Sequence, residues 1–297
     1  MSFFNKPKEP EPVCGGTDSS YDADAPKEIL SDDAVFFSAT SELNTFDVRE
    51  SEDEPLSFVS AYAARADGGT FLFLETKRDF RDGSERGWAL VKADAFPAIA
   101  ALTRECALAK SNGRHSVTHG LPQNFGGSVD IRYAGGERIS FSDNQSPIIS
   151  RETGIKIAEL FASLMTGERA ELPDLSGLRA IRFSEERASD SYTRVTLTLR
   201  ADGSGEIAKT QRYGGEHVYE SASRMEPDEV ARVLAGIEEK GVLAWAGLPA
   251  GDYSFGPEKR MVFVFDDREI AIPGDLRPPA QIRGGFFDIE LEIATKH

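Results

Sequence analysis

The sequence RADGGT at residues 65–70 recurs, with two changes, as RADGSG at residues 200–205. Asp-Gly and Gly-Gly pairs between strand-like segments are typical of tight β-hairpin turns, because glycine adopts a positive φ at no steric cost. Both stretches therefore predict a hairpin turn. Their separation of 135 residues is the first indication of an internal repeat.

Four further pairs of segments follow in the same order, at offsets of 131 to 133 residues. They are a helical segment (94–102 and 227–234), two alternating strands (129–141 and 261–272), a proline turn (Ser146-Pro147 and Arg277-Pro278) and a closing segment (155–165 and 286–297). Five pairs in one order indicate duplication rather than coincidence. We predict an α+β protein of two tandem duplicated domains, residues 33–172 and 178–297. Each is expected to be an antiparallel sheet, a meander plus a hairpin, packed on one face by two helices.

The second copy shows the underlying pattern most clearly. Residues Val195–Leu199 alternate with a period of two, which is typical of a half-buried strand. Further strands are predicted at 205–213 and 218–224. A helix is predicted to begin at Pro227, where the missing N–H costs nothing, and to end at Gly241.

The end of the chain carries two conflicting patterns. Residues 287–293 alternate between apolar and polar side chains, which favours a strand. The matching segment 155–165 instead has its apolar residues at helical spacing. The repeat decides between them, and we predict a helix at 286–297.

Residues 1–32 are predicted to form a disordered tail. This segment is rich in proline, glycine and acidic side chains and offers little apolar surface to bury. No stretch of the chain reaches the roughly 18 continuous apolar residues that a membrane helix requires, so no membrane association is expected. Two cysteines in 297 residues fit a reducing compartment. With no apolar leader at the start of the sequence, they predict a cytoplasmic protein.

The charge distribution argues against a nucleic-acid partner. The chain has 34 basic and 50 acidic side chains, a formal net charge of −16. Residues 1–33, 34–174 and 175–297 are each net negative, so no segment offers the basic face that phosphate binding needs. Mimicry of nucleic acid stays open, but it requires the acidic side chains to gather on one face.

The histidine pair His115 and His119 is the first place to look for a metal site. On a helix, a spacing of four places both imidazoles on one face, where a third ligand completes a zinc site. Gly113 and Gly120 bracket the pair, however, and the segment lies between the predicted helix and hairpin. We predict loop histidines exposed to solvent, and no metal.

Known catalytic motifs do not occur in this sequence. There is no Gly-x-Ser-x-Gly turn, and no phosphate-binding glycine loop precedes a helix. Cys106 lies in an amphipathic segment and is interpreted as a small buried apolar residue. The sequence therefore predicts no catalytic residue and no cofactor.

An aromatic segment after the second-copy helix provides the candidate binding residues. It contains Trp245, Asp252, Tyr253 and Phe255, and its first-copy counterpart contains Phe125. Aromatic loop residues anchor partners at many interfaces, although they also fill the open end of a helix-on-sheet core. Both interpretations stay open at this point.

Two hypotheses for function follow. Duplicated domains without a catalytic motif predict a non-enzymatic protein-interaction or scaffolding protein, whose partner the sequence does not identify. The alternative is an enzyme or small-ligand-binding protein with a site between the two domains, using Asp252, Tyr253 or the His115–His119 segment. Clustered polar groups with shifted pKa values would favour the alternative, and an exposed apolar surface would favour the interaction protein.

Overall fold

A computed structural model of the chain describes residues 16–43, 56–66, 68–78, 83–120, 126–187, 191–214, 217–246, 248 and 258–273. These residues form fourteen strands in two sheets, three α-helices and two short 3₁₀ helices. The protein is therefore mixed α+β with strands predominating, as the sequence predicts. The predicted closing helix at 286–297 lies outside the described residues.

The first sheet has eight strands in the order β1-β6-β8-β7-β2-β3-β4-β5. They are β1 (Gly16–Tyr21), β2 (Ala34–Glu42), β3 (Phe58–Ala66), β4 (Gly69–Lys77), β5 (Glu85–Val91), β6 (Arg114–His119), β7 (Gly127–Tyr133) and β8 (Arg138–Asp143). All neighbours are antiparallel except β6 and β8, which run parallel over two residue pairs. The predicted hairpin at 129–141 is confirmed as β7 and β8, and the RADGGT sequence turns β3 into β4.

Two helices cover one face of this first sheet. Helix α1 (Phe96–Glu105) packs on β2, and helix α2 (Arg151–Leu164) packs on β3 and β4. The Phe37 and Phe161 rings lie 5.4 Å apart between sheet and helix, and Ile99 joins them in the same buried cluster. The helical segments predicted at 94–102 and 155–165 are confirmed as α1 and α2.

The second sheet has six strands in the order β12-β11-β10-β9-β13-β14, all antiparallel. They are β9 (Leu178–Arg187), β10 (Ser191–Leu199), β11 (Gly205–Arg212), β12 (Val218–Met225), β13 (Glu258–Phe265) and β14 (Glu269–Pro273). Helix α3 (Pro227–Glu239) begins at the predicted proline, and a capping box between Glu226 and Glu229 caps its N-terminus. The strand and helix predictions for residues 195–241 are confirmed.

One hydrophobic core joins the two halves of the chain. The face of the first sheet opposite α1 and α2 carries Tyr62 and Phe71, which belong to the same buried cluster as Phe263 of the second sheet. The Trp88 ring stacks on Phe71 with centroids 6.2 Å apart. Its indole N–H donates a hydrogen bond to the Glu239 carbonyl oxygen at 2.9 Å, at the end of α3. The first sheet is thus buried on both faces along β3 and β4.

The two sheets have the same strand connections. Without β1 and β6, the first order is β8-β7-β2-β3-β4-β5, and the second is β14-β13-β9-β10-β11-β12. A 3₁₀ helix follows α1 at Leu108–Ser111 and α3 at Val242–Trp245. Each is preceded by a residue in the left-handed region, Ala107 with φ 52° and Gly241 with φ 61°. A common origin of the two halves stays a prediction, as do the domain boundaries.

The structure differs from the sequence predictions at two segments. Part of the predicted disordered tail is ordered, because β1 pairs with β6 and the Ile29 side chain is buried. The His115–His119 segment forms β6 rather than a loop. Both strands are short and polar, and they pair although about a hundred residues separate them in the sequence. Local composition gives no sign of such a pairing, since strand propensity depends on the neighbouring strand.

We expect the substitution Gly241→Ala to destabilise the protein strongly. An alanine there takes up a left-handed φ, and its Cβ would lie 2.3 Å from the Trp88 ring. Strain and overpacking together predict a loss of roughly 2–4 kcal/mol in the free energy of unfolding. Urea denaturation followed by tryptophan fluorescence measures this, since the only two tryptophans, Trp88 and Trp245, belong to the contact region.

The matched control is Gly236→Ala in the interior of α3, where an added Cβ meets nothing within 4 Å. Alanine is the better helix former by roughly 0.5–1 kcal/mol, so this variant should be slightly more stable than the wild type. Equal stability of the two variants would contradict the close contact between Trp88 and the end of α3.

Candidate functional site

The structure describes one of the five predicted binding residues. Trp245 ends the second 3₁₀ helix and is 2% exposed, so its ring is part of the shared core. Its indole Nε1 has no hydrogen-bond partner among the described residues. Asp252, Tyr253, Phe255 and Phe125 lie outside the described residues, and their role in binding stays a prediction.

A surface that the sequence did not single out lies at the edge of the second sheet. Strand β12 is the last strand of that sheet and pairs only with β11 among the described strands. All of its residues are exposed except Ser223, which is half-buried, and Met225, which is buried. An edge strand presents unpaired backbone N–H and C=O groups, and these are able to pair with another chain.

Aromatic side chains gather at the β11–β12 hairpin. Tyr213 and Tyr219 are 60% and 62% exposed, and Val218 between them is 45% exposed. These are three of the seven large hydrophobic residues that are exposed in the described part of the chain. Their concentration within seven residues separates this patch from the scattered apolar residues found on any protein surface.

The hairpin forms a shallow groove of about 440 Å³, here called the tyrosine groove. It is lined by Gln211, Tyr213, Gly214, His217 and Tyr219. Gln211 and Tyr219 are direct cross-strand neighbours, so their side chains emerge on the same face of the sheet. The backbone N–H of Gly214 donates to the Ser191 hydroxyl at 3.0 Å, which ties the hairpin to the start of β10.

The chemistry of the tyrosine groove is that of a recognition surface. Two phenols, one amide and one imidazole offer hydrogen bonds together with large apolar ring area, the combination that is enriched at protein interfaces. Among the described residues, no group of three His, Cys, Asp or Glu side chains is placed to hold a metal ion.

The His115 and His119 side chains make hydrogen-bond contacts at the protein surface. His115 Nδ1 lies 3.0 Å from the Ser142 hydroxyl, and His119 Nε2 lies 2.9 Å from an Asp18 carboxylate oxygen. Both bonds fasten β6 to the neighbouring strands β8 and β1. The two rings therefore help to hold the edge of the first sheet.

Glu75 is the strongest feature of the described residues that would favour a small-ligand site. Its side chain is 4% exposed and its Oε2 atom has no hydrogen-bond partner among the described residues. It lies directly opposite Ser60 on the neighbouring strand. A buried carboxylate opposite a serine does not by itself define a reaction.

Comparison with known proteins does not indicate a function. The sequence matches no protein-family model and none of the curated proteins. None of the described helices is both long enough and apolar enough to cross a membrane. Function must therefore be inferred from the residues themselves.

Cys106, at the end of α1, has the environment of a structural thiol. Burial raises its pKa, and the hydrogen bond with Thr153 and the charge of Lys156 oppose this only in part. Glu105, on the neighbouring position of the chain, raises the pKa further. The reactive thiolate is correspondingly scarce at neutral pH.

We predict that Cys106 reacts slowly with a thiol reagent. In a Cys14→Ser background, its reaction with 5,5′-dithiobis(2-nitrobenzoic acid) at pH 7.5 should be at least several-fold slower than that of free N-acetylcysteine. Because the pKa is raised, the rate should keep increasing through pH 9 and above. A rate at pH 7.5 equal to that of the free thiol would show that Cys106 is accessible and activated.

Proposed function

We propose that this protein is a non-enzymatic protein-interaction protein that acts in the cytoplasm and binds its partner at the edge of the second sheet. The observation that carries the proposal is the coincidence of β12, the edge strand of the second sheet among the described strands, with the exposed tyrosine groove at one end of it. Each feature alone is common on protein surfaces. Together they combine a backbone template with side-chain anchors.

The mode of binding that fits this surface is strand addition. An extended segment of a partner would continue the sheet beyond β12 and satisfy its outward-facing N–H and C=O groups. Tyr213 and Tyr219 would then supply contacts of large area at the end of the added strand. Tyrosine is enriched among the residues that dominate binding energy, because its ring is large and rigid and its hydroxyl is a polar handle.

The alternative function, a catalytic or ligand site between the two halves, has less support. In the described part of the chain, the region where the sheets meet is occupied by the shared hydrophobic core, including Tyr62, Phe71 and Phe263. Ligand pockets need convergent polar groups in a cleft. Glu75 is one such group, and one buried carboxylate does not by itself form a convergent set.

We further propose that the two halves of the chain are copies of one α+β unit. The common strand order supports this, as does the left-handed residue before each 3₁₀ helix, Ala107 and Gly241. An alanine at positive φ is strained, and its position matches a glycine 134 residues later. Divergence of the copies would leave the second free to present β12.

We expect the double substitution Tyr213→Ser/Tyr219→Ser to weaken partner binding strongly without unfolding the protein. Both rings are mostly exposed, so stability should change by less than about 0.5 kcal/mol each. The tagged full-length protein, used to capture its partner from a lysate of its own cells, should recover roughly tenfold less of any stoichiometric partner after the substitution.

The matched control is Tyr21→Ser/Leu30→Ser, which removes two equally exposed side chains from the first half of the chain. This variant should capture the partner as well as the wild type does. Equal capture by wild type, tyrosine-groove variant and control would place the interaction elsewhere on the molecule.

A further inference from the structure

We infer that the partner at β12 is a second copy of this chain, bound by antiparallel pairing of the two β12 strands. The inference rests on the proposed function, because it names the occupant of the same surface. Two six-stranded sheets would join into one continuous sheet, related by a two-fold axis perpendicular to it. The sequence of β12 carries the inference.

The charges of β12 are complementary to themselves in one register. When Ala222 lies opposite Ala222 of the second copy, Glu220 faces Arg224 of the second copy and Arg224 faces Glu220. The symmetry thus creates two ion pairs from one residue of each sign. Opposite charges placed directly across two strands stabilise their pairing.

Other registers lose this complementarity. A shift by two residues in either direction separates Glu220 from Arg224, and in one direction it sets Glu220 against Glu226. A shift by four sets Glu220 against Glu220, or Arg224 against Arg224. Like charges directly opposite each other are destabilising. The charge pattern therefore selects a single alignment.

The side chains at the centre of β12 are small enough for close approach. Ser221, Ala222 and Ser223 lie around the axis, with Ser221 facing Ser223 of the second copy. On the face that carries the tyrosine groove, Tyr219 would lie opposite Met225 of the second copy, which is a buried member of the shared core.

The Arg224 side chain makes only long, exposed ion pairs in the single chain. Arg224 lies 3.6 Å from Asp202 and 3.6 Å from Glu226, and its side chain is 62% exposed. Exposed ion pairs of this kind contribute little to stability. Exchange of these contacts for Glu220 of a second copy therefore costs little.

The three other edge strands of the described sheets lack the pattern. In β1 the single charged residue is Asp18. In β5 the charges Glu85 and Arg86 are adjacent, so they emerge on opposite faces and do not meet across a two-fold axis. Strand β14 carries one charge, Glu269, and ends at Pro273, which has no N–H to donate.

The predicted dimer is weak and depends on concentration. Seven paired residues span roughly 24 Å, and a strand pair of that length buries less than the roughly 1,200 Å² typical of stable interfaces. The net charge of −16 on each copy also opposes association. We expect a dissociation constant on the order of tens of micromolar.

The test is sedimentation velocity of the full-length protein from 5 to 500 μM in 0.15 M salt. The wild type should shift from monomer to dimer over this range. Arg224→Glu replaces both attractive pairs by repulsive ones, and it should raise the dissociation constant roughly tenfold or more. Glu220→Arg should do the same, and the double variant Glu220→Arg/Arg224→Glu should restore dimerisation. Both residues are exposed, so circular dichroism should show unchanged folding.

Arg114→Glu, on the exposed side of β6, is the control because it makes the same change in net charge far from β12. An equal weakening by this variant would overturn the inference in favour of a general charge effect. A wild type that stays monomeric at 500 μM would also overturn it, as would a double variant that fails to dimerise.

The proposed function is judged separately. If the protein is monomeric and yet captures a different protein through Tyr213 and Tyr219, the inference of self-pairing fails and the interaction surface stands. If neither self-association nor tyrosine-dependent capture occurs, both proposals fail.

Discussion

The burial of an aromatic face of the first sheet is the constraint on which the rest of the structure depends. Tyr62, Phe71 and Trp88 lie on the face opposite α1 and α2, and each large ring carries roughly 150–250 Å² of surface. Left exposed, this face would exceed the apolar patches that monomeric proteins tolerate. The second sheet and the end of α3 cover it, so the two halves of the chain share one hydrophobic core beside Trp88.

This arrangement determines which surfaces are left for function. The apolar face of the second sheet packs into the shared core. Its outer face carries exposed ion pairs such as Arg182–Glu269 at 3.1 Å. Such pairs solubilise a surface more than they stabilise it. Among the described residues of this half, the large apolar side chains that remain exposed are those of the β11–β12 hairpin, Tyr213, Val218 and Tyr219. The interaction site that we propose therefore lies at the sheet edge, and not in a cleft between the two halves.

The sequence predicts those parts of the fold that local periodicity determines. Alternation at Val195–Leu199 and the proline at 227 give a strand and a helix start that the structure confirms. Pairing between distant strands has no local signature, which is why β1 was missed. The sequence repeat identifies matching hairpins, but matching residues in them have different surroundings. Arg65 forms an ion pair with Asp94, beside α1, whereas Arg200 forms an ion pair with Glu206. A difference of one residue in register reverses the face of a strand. The edge position of β12 is likewise a property of the sheet order.

The corresponding edges of the two sheets differ in how the described chain covers them. Strand β5 occupies the edge of the first sheet that matches β12, and the chain after α2 returns to cover it. The Lys92 N–H donates to the Glu168 carbonyl and the Ala170 N–H donates to the Leu90 carbonyl, each at 2.9 Å. No described segment covers β12 in this way. An uncovered edge strand normally promotes unspecific aggregation. In β12 the charges of Glu220 and Arg224, four residues apart, are complementary in a single self-pairing register. This charge pattern is what separates the self-pairing that we propose for β12 from unspecific edge-to-edge association.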